Sequence, residues 1–198
     1  MIDERLKKQI EFIIEIDKLK HITRQNLIAD GSREENDVEH SWHLAVMAIL
    51  LSEYAKEKDL DVLKTVKMVL IHDMVEIDAG DTFCYDTVGY LDKGDRERRA
   101  AERLFGILPE DQAEEFRRLW EEFEERKTPE AKFAAALDRI QPLLNNYLTQ
   151  GHTWNKHTVT SDRVMERSRP IKEAAPVLWD FVYELIEESI EKGYLKRP

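Results

Sequence analysis

Apolar residues recur along the chain at helical spacing, and one segment stands apart because it is apolar almost throughout. From Val62 to Ile77 they fall on nearly every face of a helix, which predicts a central helix buried on all sides. Its last part, Val69-Leu70-Ile71-His72-Asp73-Met74-Val75-Glu76-Ile77, sets an imidazole and two carboxylates into that apolar run. Ionised groups taken out of water must be paired or must coordinate a metal. This helix therefore carries a polar network or holds a cation.

The other apolar periods frame it. Leu6, Ile10, Ile13 and Ile14 predict a first amphipathic helix running towards Lys20, followed from His21 to Glu35 by a non-periodic segment with an Ala-Asp-Gly-Ser turn. Asn36, with Glu39 three residues on, predicts a capped helix that carries His40, His43, Leu44, Met47, Leu51 and Tyr54 along one side. Gly80 is placed to stop the central helix, and the stretch from Thr82 to Gly94, with Phe83, Tyr85 and Tyr90, reads as a binding loop or lid. Helical pattern resumes from Asp95 to Phe105, breaks at Gly106 to Pro109 and restarts through Phe116, Leu119, Trp120 and Phe123. Thr128-Pro129-Glu130 opens a helix with Phe133, Leu137, Ile140, Leu144 and Tyr147 on its stripe, Asp138 beside it and Pro142 expected to kink it. A polar loop from Gln150 to Thr160 holds His152, Trp154 and His157, and Val182, Tyr183, Ile186 and Ile190 mark a last helix. No strand alternation or repeat is found, so the expected fold is all-α, a helical bundle in one domain spanning residues 1–198.

Composition narrows the partners. Asp and Glu total 41 against 30 Lys and Arg, a formal net charge of -11, and that field repels nucleic acid and anionic membranes. A small phosphorylated ligand stays compatible, because local cations outweigh distant charge that salt screens. The single Cys84 excludes an internal disulfide and fits a reducing compartment, and no run reaches membrane-spanning length. A soluble, cytoplasmic protein is expected.

Four residues from three predicted helices then stand out: His40, the adjacent His72 and Asp73, and Asp138. Two imidazoles and two carboxylates suit a divalent metal that keeps water positions open. Taken singly, each has a plainer reading, with His72 a hydrogen-bonded core histidine, Asp73 paired to an arginine and Asp138 paired to Arg139. Glu76, one turn after His72, can reach a water on the same ion or can pair with a cationic side chain. Asp81 can donate a proton or be a turn aspartate, and Arg24 can clamp phosphate or lie on the surface. His43 reads as packing or as indirect support for the site.

The series Glu39-His40-Ser41, His72-Asp73-Met74-Val75-Glu76, Gly80-Asp81 and Leu137-Asp138 resembles the HD-domain metal-dependent phosphohydrolases, and within them the 5'-deoxynucleotidase-like branch. The segments Trp120 to Glu124 and Pro129 to Phe133 share in the likeness. The resemblance implies that His40, His72, Asp73 and Asp138 bind one divalent cation (Mn, Co, Fe, Ni, Zn or Mg). It implies that Glu76 and Asp81 serve the water and the leaving group, and that Arg24 holds the phosphate. It implies hydrolysis of (deoxy)ribonucleoside 5'-monophosphates to nucleoside and phosphate by attack of metal-bound water, in a homodimer. The bacterial nucleotidases carry tryptophan directly after that arginine, whereas this chain has Gln25, so position 25 is the candidate for altered nucleoside recognition. His152 and His157 follow Asp138, whereas binuclear HD enzymes insert their extra histidines before it, which favours one metal. A nucleotide phosphodiesterase, a tri- or pyrophosphohydrolase, and a non-catalytic nucleotide-binding module stay open as alternatives. Trp154 and Trp179 are candidates for a dimer interface or for the core.

Overall fold

The structure is a computed structural model and describes residues 3–198. It is all-α apart from one short hairpin. Helix α1 (Glu4–Glu15) starts on Asp3, whose carboxylate accepts from the Arg5 N–H, and it continues as a 3-10 turn over Ile16–His21 rather than as one helix to Lys20. Its apolar stripe does not face the core. Leu6, Ile10, Ile13 and Ile14 are exposed, Ile14 to 67%, while Phe12 is buried edge-to-face on Phe116. The docked side is held by polar contacts, with Gln9 donating to Gln112 at 2.8 Å and Arg5 forming a two-pronged bond to Asp111. That docking turns the aliphatic stripe outward.

The segment expected to be irregular contains strands β1 (Thr23–Leu27) and β2 (Glu34–Asn36), an antiparallel pair with Thr23 opposite Asn36 and Leu27 opposite Glu34. The Ala-Asp-Gly-Ser turn closes it, with Gly31 at φ 73° and the Asp30 carboxylate accepting from the Ser32 N–H. Helix α2 (Asp37–Leu51) begins in the predicted capping box between Asn36 and Glu39.

Helix α3 (Val62–Ile71) is shorter than the apolar run that predicts it, and it is not buried on every side, since Leu63 and Leu70 face solvent. After Ile71 the backbone bonding tightens from four residues to three: His72 N–H donates to Met68 O, but Met74 donates to Ile71 and Glu76 to Asp73. Glu76 therefore opens a separate short helix, α4 (Glu76–Ala79), instead of following His72 by one α-turn. An apolar run cannot announce such a break, because both windings bury the same residues. Gly80 ends α4 at φ 73° and ψ 147°, sending an extended chain to Asp81.

Helices α5 (Lys93–Phe105) and α6 (Glu110–Glu125) follow, α5 starting two residues earlier than its charged pattern suggests. Helix α7 (Pro129–Leu148) is the true centre, with Phe133, Ala134, Leu137 and Ile140 among its buried residues. Thr128 caps it as expected, and it stays continuous across Pro142, whose carbonyl accepts from the Asn26 and Asn146 side chains. The predicted loop from Gln150 to Thr160 folds partly into α8 (His152–Lys156), and Trp154 is core, 2% exposed, rather than interface. Trp179 packs half-buried on the same core. Helices α9 (Ser161–Ser168), α10 (Pro170–Ala174) and α11 (Pro176–Glu191) complete the bundle. Among the described residues no helix is long and apolar enough to cross a membrane.

Candidate metal centre

The residues singled out on three predicted helices come together at one end of a cavity. His40, near the start of α2, is fully buried. Its Nδ1 meets Gln141 Oε1 at 3.0 Å and its Nε2 meets Asp138 Oδ1 at 3.1 Å. The Gln141 amide donates to Glu35 Oε1 at 2.6 Å, and a carboxylate only accepts, so Gln141 must turn its carbonyl oxygen to His40. One hydrogen of His40 is thereby fixed on Nδ1, so Nε2 either donates to Asp138 Oδ1 from a protonated ring or, in the neutral ring, keeps a lone pair free for a cation. Gln141 was not foreseen, although it lies three residues after Asp138 on the same face of α7 and the sequence carries that spacing.

His72 repeats this logic. Its Nδ1 meets the Val69 carbonyl at 2.9 Å, which can only accept, so the hydrogen again sits on Nδ1. Its Nε2 is buried without a hydrogen-bond partner, 3.1 Å from Asp73 Oδ1 and 3.8 Å from Asp138 Oδ1. Two imidazole Nε2 atoms thus face two carboxylates in a buried pocket. The arrangement demands positive charge, either a proton or a cation. Burial opposes charge on His72, yet Asp73 and Asp138 raise its pKa to about 10. Burial likewise opposes ionisation of Asp138, and His40 and His72 override it and hold that carboxyl well below its ordinary range. Ligand atoms of His40, His72 and Asp73 lie within 4.8 Å of one another, and Asp138 reaches both histidines. This donor set fits one divalent cation.

Arg24, from β1, donates through Nη1 to Asp73 Oδ2 at 2.8 Å and to Asp37 Oδ1 at 3.1 Å. Asp37 is a residue the sequence reading missed. It is fully buried, its Oδ2 and Glu76 Oε2 have no hydrogen-bond partner, and carboxylate oxygens of Asp37, Asp73 and Glu76 lie within 4.8 Å of one another. Carboxylates crowded together out of water repel, which favours the protonated form. Burial, then Asp73 and Asp37, push Glu76 well above the usual range, and Asp37 is raised to about 6 by burial and by Asp73, against the pull of Arg24. Burial also raises Asp81, again against Arg24.

Arg24, His72, Asp73, Glu76, Asp81 and Asp138 line the inner part of the cavity. Gln25 lines its mouth, where its Oε1 accepts from His157 Nε2 at 3.0 Å and from Lys156 Nζ at 3.2 Å. The His157 ring lies against Phe83, with centroids 4.3 Å apart. Phe83, Tyr85 and Tyr90 bring the loop after α4 onto the cavity wall. Arg96 pins that loop through the carbonyls of Ala79 and Gly89, and Arg163 does so through the carbonyl of Tyr85. Arg139 does not pair with Asp138; it donates to the carbonyls of Ala135 and Arg167. His43 is only 3.4 Å from the Gln141 amide and supports the network from outside, whereas His152 is exposed.

Comparison with known proteins identifies the family. The family model described as HD domain matches residues 16–179. A human protein named 5'-deoxynucleotidase HDDC2 is 32% identical over 136 residues, 68% of this chain and 65% of the relative. The Schizosaccharomyces pombe 5'-deoxynucleotidase hdd1 is 26% identical over 137 residues, 67% of each chain. The match thus spans just under two thirds of the human relative's own length. A crystal structure from Magnetospirillum magnetotacticum MS-1, named as a predicted metal-dependent phosphohydrolase, superposes with a TM-score of 0.95 at 50% identity, covering 99% of this chain and 100% of that one. The chain belongs to the HD domain family.

Proposed function

We propose that this chain is a metal-dependent phosphoric monoester hydrolase that converts nucleoside 5'-monophosphates, the deoxy forms included, to nucleoside and phosphate. The observation that carries the reading is the pair of imidazole Nε2 atoms, on His40 and His72, turned towards Asp73 and Asp138 beside a cavity that His72, Asp73, Glu76, Asp81 and Asp138 line. His40, His72, Asp73 and Asp138 would hold one divalent cation. When bound, that cation supplies charge for the phosphoryl oxygens and lowers the pKa of a water towards neutrality. The names of the human and yeast relatives support the substrate class.

The chain's own groups would then act in order. Burial and the neighbouring carboxylates raise Glu76, and positive charge brought into the cavity would lower it again, leaving Glu76 able to take a proton from the attacking water. Asp81, whose carboxyl is biased towards its protonated form, would give a proton to the leaving 5'-oxygen. Arg24 holds Asp73 and Asp37 with Nη1, and its Nη2 would meet a phosphoryl oxygen. The donor amide of Gln25 and the His157–Phe83 pair would meet the nucleoside. We assign the exposed aliphatic stripe of α1 to contact with a second copy of the chain, and a cytoplasmic location suits the lone Cys84.

Phosphate release from mono-, di- and triphosphates, across a panel of divalent metals, tests the reaction. Monophosphates should be preferred. Release of pyrophosphate or triphosphate, with monophosphates inert, would replace this reading by the polyphosphohydrolase one. Light scattering tests the stripe: Ile10→Glu with Ile14→Glu should convert a dimer to a monomer.

A further inference from the structure

The cations around the cavity are nearly all engaged. Arg24 is bonded to Asp73, Lys93 to Glu97, Arg96 to loop carbonyls and Arg139 to the carbonyls of Ala135 and Arg167. Arg126 has Glu124 at 3.9 Å. Arg167 differs. It stands in the last turn of α9 and lines the cavity, and among the described residues its guanidinium makes neither a hydrogen bond nor an ion pair. Its surroundings are Cys84, Asp138, Tyr90 and Tyr85, and although burial works against its charge, these neighbours hold it protonated. Its backbone is fixed, because its carbonyl accepts from Arg139 Nε at 3.1 Å and Ser168 beside it bonds back to Val164 at 2.7 Å.

A half-buried guanidinium held on a fixed backbone at the cavity wall, with no anion bonded to it, is free to take one that enters the cavity. Neutral parts of a nucleotide, the sugar and the base, do not answer that charge. Its phosphoryl group does. Asp138 belongs to the metal cluster and is among the charges nearest Arg167, so an anion meeting this guanidinium would also meet a cation at the cluster.

We infer that Arg167 is a second phosphate-binding arginine, which takes phosphoryl oxygens of the ligand from the α9 side of the cavity while Arg24 approaches from β1. The fork of guanidinium donors matches phosphate oxygens in a way that a lysine ammonium does not. Arg139 is the positioning residue that fixes the end of α9 on α7. The inference rests on the proposed function only in naming the phosphoryl group as the anion.

The test therefore uses a ligand that needs no turnover. Binding of inorganic phosphate to the metal-loaded protein is measured by calorimetry for wild type, Arg167→Gln and Arg167→Lys, with metal content and melting temperature recorded alongside. Arg167→Gln should weaken phosphate binding by about ten- to a hundred-fold, the range for loss of a hydrogen-bonded charge, at unchanged metal content. Arg167→Lys should fall between the two. Unchanged phosphate affinity in Arg167→Gln overturns the inference, and so does a loss that follows loss of metal and melting temperature together. If Arg167→Gln does not fold, Arg167→Lys decides: weaker phosphate binding with metal retained supports the role, and equal binding overturns it. Should no nucleotide be hydrolysed, the proposed reaction fails while the phosphate result stands on its own.

Discussion

Arg24 Nη1 donates to Asp73 Oδ2 at 2.8 Å, tying the first strand to the turn that follows α3. The same nitrogen reaches Asp37, so one guanidinium offsets two buried carboxylates. Removing it would strand both. Arg24→Ala should cost about 3–5 kcal/mol in the metal-free protein, the range for breaking a buried pair from one side, and Arg24→Lys should recover part of this. Urea unfolding measures it. An unchanged midpoint would mean that Arg24 is not part of the site's frame.

Asp37 supplies a pH signature. Its folded pKa of about 6, raised chiefly by burial, lies above the value near 3.9 expected of an unfolded aspartate. The folded state therefore binds this proton more tightly than the unfolded state does. The resulting stabilisation is fully present below about pH 4 and is lost as pH rises through about 6. Asp37→Asn removes the titration, so in metal-free protein its stability relative to wild type should increase across that window. Parallel stability profiles would contradict the buried position assigned to Asp37.

Glu76 separates chemistry from binding. Glu76→Gln keeps the shape but cannot act as a base, and it should lower kcat by about 10²–10⁴-fold with metal content near wild type. Metal measured by elemental analysis checks the second half. Parallel loss of metal and rate would make Glu76 a ligand instead.

On the proposed function, the cavity wall formed by Gln25, His157 and Phe83 would select the nucleoside. Lys156 and His157 both donate to Gln25 Oε1, so its NH2 group is left to donate to a nucleotide. Gln25→Trp and His157→Ala should each change the ranking of bases, and of ribose against deoxyribose, in kcat/KM while the metal requirement is untouched. An unchanged ranking in both would exclude this wall from nucleoside recognition.

The features legible in the sequence share a reason. Polar residues at core positions are costly to bury, so His40, His72, Asp73 and Asp138 stand out against apolar stripes. Asn36 and Thr128 announce helix starts through local bonds, which both form. Asp37 escaped notice because an acid in a first turn is ordinary there on dipole grounds, and only tertiary packing buries it. The hairpin went unseen because Thr-Arg-Gln-Asn-Leu and Glu-Glu-Asn show no alternation of apolar and polar positions. The stripe on α1 predicts a helix correctly but not which way it faces, since the helix docks through Phe12 on Phe116, with Gln9 and Arg5 bonded beside it. Gln25 was singled out by its departure from tryptophan, but its link to His157 spans 132 residues and lies beyond any local pattern.

The central claim is one divalent cation held by four side chains and required for phosphate release. The most direct measurement strips the protein with chelator, titrates a divalent metal back, and follows bound metal per chain together with phosphate release from a deoxynucleoside 5'-monophosphate. Activity and melting temperature should rise together and saturate at one metal per chain. Asp138→Ala, His72→Ala and His40→Ala should each lose both. Full activity in the stripped protein, or an Asp138→Ala protein that keeps full occupancy and rate, would contradict the claim.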